Sequence, residues 1–389
     1  MPLKVRPDYG GGSIVNLMAT LVDALDGRAG DYGLLAAATL DEVRSARTVV
    51  LIVVDGLGDL WLDRFGRGGA LASCRRAAMT SVFPSTTASA VTTFFTGLAP
   101  AQHALTGWHI YLREIGSVAA VLPLTLRPGG QPILTHGADA ATLFPHEAVF
   151  DRIGVESTIV LPQWIVNSPF TVAHAGRAGR LGYRGIEDMF RNIAAVARTG
   201  NERQFVYAYH PEIDALAHAH GMASDAVRAE FARVESGWEQ FLDAIRGTDT
   251  AVVLTADHGF VDTRPDTVID LADHPALAAT LVLPLCGEPR VAYCYVRDGR
   301  AAAFERYVET ELADRVMLFR SADLVAEGLF GPGEPDARLA DRIGDYTLVM
   351  MENYVIRDHL LGERRHPQIG VHGGATPDEM LVPLVVAHA

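Results

Sequence analysis

Continuous apolar runs, more than alternation, set the pattern of this chain. Residues 48–54 (TVVLIVV), 204–209 (QFVYAY) and 251–255 (AVVLT) are short, rich in β-branched or aromatic side chains, and break off at polar residues. Runs of this kind predict strands buried on both faces, as in a parallel sheet. Shorter runs at 118–122, 157–161 and 291–296 predict further strands, and the apolar end of 371–386 predicts a terminal edge strand. Between the runs the apolar period lengthens to that of helices. Ile14, Leu17, Leu21, Val22 and Leu25 share one face, with Ser13 placed as N-cap and Gly27 as stop. Val227, Phe231, Val234, Trp238, Phe241, Leu242 and Ile245 line one side of 223–246, a long helix suited to covering a sheet. Segments 185–196, 304–312 and 322–329 read as helices, whereas 123–144, rich in Gly, Pro and Thr, reads as loop.

The 389 residues, 49% of them hydrophobic and 21% charged, are ample for a large core. They fit two domains, or one large α/β domain carrying an insertion. Turn-rich stretches at 284–290 and 331–336 mark 263–370 as the candidate cap, with 1–262 as the core and 371–389 completing it. The net charge is −14 and Lys4 is the only lysine. That balance argues against nucleic acid or an anionic membrane as partner. A small anionic substrate remains compatible, because bound divalent cations reverse the local field. Cys74, Cys286 and Cys294 are scattered without C-x-x-C spacing and read as reduced thiols. With no signal-peptide core and no run of transmembrane length, a cytoplasmic location is expected.

The residues that end the strands change the picture. The 48–54 run stops at Asp55-Gly56, and the 251–255 run at Asp257-His258-Gly259. After 204–209 come Asp214 and His218, four apart, which a helix would place on one face. His372 precedes two glycines and the last apolar run. Any one of these has a plain explanation, a helix cap or a surface imidazole. Recurrence at several strand ends favours a shared site, since open α/β sheets bind ligands at the carboxyl ends of their strands. Three carboxylates and three imidazoles suffice for two divalent ions with three protein ligands each. Such a pair, about 4 Å apart, suits in-line displacement at phosphorus. His210 and His220 read as supporting or solvated groups. Residues 80–97 add Ser85, Thr86, Thr87 and Ser89 at the entrance to a helix, more hydroxyls than capping requires. A helix N-terminus favours negative charge and can face a phosphate.

Five segments carry a resemblance: VDG at 54–56, VFPSTTASAVTTFFTGLAPAQH at 82–103, D-x-x-x-H at 214–218, ADHG at 256–259 and HGGATPDEMLVPL at 372–384. Together and in this order, the chain resembles the alkaline phosphatase superfamily, in particular its nucleotide pyrophosphatase/phosphodiesterase branch. The resemblance implies a three-layer α/β sandwich, a mainly parallel central sheet between helices, with a smaller inserted cap. It implies that Asp214, His218 and His372 hold one ion, and that Asp55, Asp257 and His258 hold the other together with Thr87. Thr87, the third residue after Pro84, maps to the nucleophile and implies a phosphothreonine intermediate; Thr86 is its adjacent rival. The implied reaction is hydrolysis of small phosphate-containing substrates, phosphodiesters or nucleotide pyrophosphates. A phosphomonoesterase or phosphonate hydrolase on the same site is the alternative, and an inactive metal-binding protein is the alternative of another class. No arginine is placed opposite the metals, which tilts the reading to diesters. Zinc is favoured because half of the ligands are His, and manganese also accepts this mixture. Where phosphodiesterases of this branch carry an Asn that hydrogen-bonds the transferred phosphoryl group, Trp108 stands here.

Overall fold

A computed structural model describes residues 3–28, 30–136, 139–363 and 367–389. The apolar runs form the middle of a seven-stranded sheet. Its order is Arg75–Thr80, Leu381–His388, Thr250–Thr255, Thr48–Val54, Gln204–His210, Glu156–Pro162 and Gly179–Tyr183. Thr48–Val54 pairs in parallel with Gln204–His210 on one side and Thr250–Thr255 on the other. Every residue of Thr48–Val54 and of Thr250–Thr255 is buried, as continuous apolar runs require. Only Leu381–His388 runs against the other strands.

Helices pack on this sheet to form the expected α/β sandwich. Ile14–Ala24 lies against Thr87–Thr96, and Asp225–Ala244 against Ile186–Arg198. The first helix begins as its sequence predicts: Asn16 Oδ1 accepts from both the N–H and the hydroxyl of Ser13.

A second, antiparallel sheet also has seven strands: Val316–Arg320, Tyr346–Met350, Val291–Cys294, Cys286–Gly287, His109–Leu112, Ser117–Ala120 and Thr125–Leu126. Four come from the expected cap region 263–370, and three come from 109–126. Cys286–Gly287 joins the two groups, through Gly287 opposite His109.

The terminal strand corrects one expectation. Leu381–His388 is no edge; it lies between Arg75–Thr80 and Thr250–Thr255. Its five buried residues in a row, Val382–Val386, reflect that interior place. The true edges, Arg75–Thr80 and Gly179–Tyr183, are only partly buried and are broken up by Arg, Ala and Gly, so they gave no continuous apolar run. The stretch 123–144, read as loop, holds the short strand Thr125–Leu126 and the helical turns Ile133–His136 and Ala140–Leu143. Among the described residues no helix is long and apolar enough to cross a membrane.

Candidate active site

Three adjacent parallel strands converge at their carboxyl ends. Thr250–Thr255 leads to Asp257 and His258, and Thr48–Val54 leads to Asp55. Gln204–His210 runs through Pro211 into the helix Glu212–His220, which carries Asp214 and His218. The turn after Asp55 needs glycine: Gly56 has φ of +77°, and a Cβ there would meet the Phe260 ring. The Gly56 N–H donates to Asp257 Oδ1 at 3.1 Å, and the His258 N–H donates to the same oxygen at 3.0 Å. Asp257 Oδ2 is thereby turned inward.

The side chains then meet. His258 Nε2 lies 3.3 Å from Asp55 Oδ1 and 3.3 Å from Asp257 Oδ2. Asp214 Oδ1 lies 3.3 Å from His218 Nε2, the contact expected of an i, i+4 pair. His372, from the far end of the chain, brings its Nε2 to 3.6 Å from Asp214 Oδ1 and stacks on His258 with ring centres 3.7 Å apart. Asp55, Asp257 and His258 form one group whose ligand-capable atoms all lie within 4.8 Å of one another; Asp214, His258 and His372 form a second. His258 therefore sits between the two clusters, with His218 beside the second.

The donor set fits divalent cations. Asp55 Oδ1, Asp214 Oδ1 and Asp257 Oδ2 are buried and accept no hydrogen bond. Burial, then the neighbouring Asp214 and Asp257, hold the Asp55 carboxyl well above the usual range. Three such oxygens without a counter-charge are unfavourable in a dry interior, and a metal ion resolves the conflict. Burial, reinforced by His258 and His218, holds His372 well below the usual imidazole range, keeping it in the neutral form that binds metal. Burial also pulls His218 down, but Asp214 outweighs it and the net direction is up. His218 Nδ1 lies 2.8 Å from the Gly370 carbonyl, which aims Nε2 at Asp214. Tyr209 donates its hydroxyl to Asp55 Oδ2.

Hydrogen bonding sorts the hydroxyl cluster. Ser85 donates to the Gly374 carbonyl at 2.8 Å and Ser89 to the Leu105 carbonyl at 2.9 Å. Thr86, the N-cap of the helix Thr87–Thr96, donates to Glu288 Oε1 at 2.6 Å. Thr87 Oγ1 instead lies 3.1 Å from His258 Nε2, at the first turn of the helix and facing the carboxylates. His210 is fully buried, 2.9 Å from Glu230, while His220 is exposed. Their contacts make His210 an anchor for the covering helix and leave His220 to solvent.

A cleft of about 490 Å³ opens over these groups, bounded by Thr87, Asp214, His218 and His372 on one side and by Trp108, Glu288 and Arg357 among others. Glu288 was missed from sequence because it stands in a turn without motif character. It accepts from the Trp108 N–H at 2.7 Å as well as from Thr86, and burial pushes its carboxyl up to about 7. Tyr209 was missed within its apolar run. Two arginines, Arg127 and Arg357, line the cleft, where the motifs placed none.

A family model described as type I phosphodiesterase / nucleotide pyrophosphatase matches residues 49–375. No curated protein sequence matches significantly. Among solved structures, murine ectonucleotide pyrophosphatase/phosphodiesterase 5 is similar at a TM-score of 0.64 and 14% identity, over 86% of this chain and 87% of that one. The same values hold for its inactive threonine-to-alanine variant in complex with AMP. Phosphonoacetate hydrolase from Sinorhizobium meliloti 1021, in complex with phosphonoformate, is similar at a TM-score of 0.60 and 18% identity, over 88% of this chain and 90% of that one. At these identities the likeness is one of fold.

Proposed function

Since the chain belongs to the type I phosphodiesterase / nucleotide pyrophosphatase family, we propose that it hydrolyses phosphodiesters or nucleotide pyrophosphates with Thr87 as nucleophile and two divalent ions as cofactors. The observation that carries this reading is the convergence of three unpartnered carboxylate oxygens on the imidazoles of His258, His218 and His372, with His258 facing Thr87. Asp55, Asp257 and His258, with Thr87, would hold one ion; Asp214, His218 and His372 would hold the other. Zinc suits this half-imidazole set best, with manganese as the alternative. When bound, the ions would supply charge neutralisation at the phosphoryl group.

The chain's own residues do the rest. The helix Thr87–Thr96 directs its positive end at the Thr87 oxygen and at the phosphoryl group. Thr87 Oγ1 gives up its proton and forms the new bond to phosphorus as the leaving oxygen departs and is protonated, giving a phosphothreonine ester that keeps the substrate's other substituent. Water then attacks that phosphorus, frees Thr87 and releases the phosphomonoester. Tyr209 holds Asp55, and the Gly370 carbonyl holds His218, in their working orientations. The region 263–370 acts as a cap through the strands and turns that wall the cleft. The three free cysteines support a reducing, cytoplasmic setting.

The test is cleavage of bis(p-nitrophenyl) phosphate against p-nitrophenyl phosphate, with chelator and after zinc or manganese is restored. The expected result is preference for the diester, lost with chelator and regained with metal. Absence of activity under every metal overturns the reading. The arginines in the cleft favour one second reading, a monoesterase or phosphonate hydrolase on the same residues, and strong preference for the monoester would select it.

A further inference from the structure

Among the described residues two guanidinium groups line the cleft, and their surroundings differ. Arg127 is neutralised: its Nη2 lies 2.6 Å from Asp358 Oδ1 and its Nε 2.9 Å from Glu363 Oε1. Arg357 ends the short strand Val355–Arg357 and donates to the Gln368 carbonyl at 3.2 Å. No carboxylate among the described residues lies within ion-pair distance of it.

The acidic groups nearest to it in the chain and in the sheet are engaged elsewhere. Asp358 holds Arg127 and also accepts from the Leu285 N–H at 2.7 Å. Asp270, its partner across the strand pair, accepts from the Ala272 N–H at 3.0 Å and faces His359. Burial, with no carboxylate to offset it, lowers the pKa of the Arg357 guanidinium. A half-buried cation in a cleft wall carries a desolvation cost that an anion would offset. Its planar fork matches phosphate or carboxylate through paired hydrogen bonds. The cleft has room for more than the reacting phosphoryl group, since about 490 Å³ lies within the range of small-molecule sites.

We propose that Arg357 is a specificity-determining residue, a second anion site that binds a phosphate or carboxylate carried by the substrate beyond its reacting phosphoryl group. This rests on the hydrolase reading for the location of the first anion, at Thr87. The substrate class is thereby narrowed to phosphoesters that carry a second negatively charged group.

Calorimetry on the zinc-loaded wild type, Arg357→Met and Arg357→Lys, with pyrophosphate, phosphoglycolate and inorganic phosphate as probes, decides the matter. The wild type should bind pyrophosphate or phosphoglycolate about tenfold or more tighter than phosphate, the scale of a charge-assisted hydrogen bond. Arg357→Met should erase most of that ratio and Arg357→Lys restore part of it; the affinity of pyrophosphate for zinc itself is common to all three proteins. Whichever probe shows the larger ratio identifies phosphate or carboxylate as the second group. Equal affinities in the wild type, or a ratio that survives in Arg357→Met, overturn the proposal. The hydrolase reading is judged apart from this, by wild-type cleavage of bis(p-nitrophenyl) phosphate, so either conclusion can fail alone.

Discussion

Thr86 and Thr87 are chemically identical and adjacent, yet their hydroxyls lead opposite lives. Thr86 is the helix cap and is committed to Glu288, while Thr87 faces His258. Thr87→Ala should therefore lower kcat by about 10³-fold or more, the scale of losing a nucleophile. Thr86→Ala should keep most of the turnover but leave a buried acceptor short of a partner, at a stability cost of ~1–3 kcal/mol. Steady-state kinetics and chemical denaturation of the two variants check both statements; full turnover in Thr87→Ala would sink the assignment. The pair could not be separated in the sequence, because the distinction depends on which residue begins the helix. The ligand-type residues stood out because each follows or precedes an apolar run or sits at helical spacing. Glu288 could not stand out, since its importance comes from meeting Trp108 across 180 positions of chain.

At the scale of elements, strands were visible where burial on both faces demanded unbroken apolar runs. Edge strands with one wet face were not, and the C-terminal strand's interior place was hidden because pairing partners leave no mark on local pattern. The loop 372–379 shows what such long-range contacts supply. Glu379, fully buried, accepts from Gly374 N–H at 2.8 Å and Thr376 hydroxyl at 2.7 Å, and Arg290 grips both its oxygens at 2.9 Å. One buried ion pair thus ties the second sheet to the segment presenting His372. Replacing one partner strands the other charge, so Glu379→Gln should cost ~3–5 kcal/mol in denaturant unfolding. The pH dependence has a definite sign. Burial alone would raise the Glu379 pKa, but Arg290 and the other donors outweigh it and hold it below the ordinary value. Its stabilising contribution is then complete above the ordinary glutamate pKa of about 4.3 and fades as pH falls through the lower folded value. The stability gap between wild type and Glu379→Gln should shrink in that acid range; a gap that is constant with pH would refute the account.

For the whole molecule, length and composition left two domains or one large α/β domain open, while the strand and helix pattern pointed to a mainly parallel sheet between helices, which the structure has. Of the second sheet only the strands near 118–122 and 291–296 were legible, and their union was not, because its seven strands are short and come from two segments far apart, 109–126 and 286–350. The candidate metal cluster couples these scales. Its carboxylates repel one another in the metal-free fold, so zinc at about a hundred times its Kd should stabilise the protein by about 2.7 kcal/mol. Thermal unfolding with and without chelator measures this, and an unchanged Tm would argue against a metal centre at these residues.

The position of Leu381–His388 bears on how the molecule is born. The ribosome makes this strand after both of its neighbours, yet it belongs between Arg75–Thr80 and Thr250–Thr255. Until it emerges, both neighbours present unpaired backbone. Nascent chains must therefore wait with an open slot in the sheet, a state prone to edge-to-edge association. Truncation after residue 370 should yield aggregated protein rather than a soluble fragment, readable by sedimentation of the translated product. The segment that presents His372 and the strand that fills the slot lie side by side in the chain, so the candidate site is completed as the sheet closes.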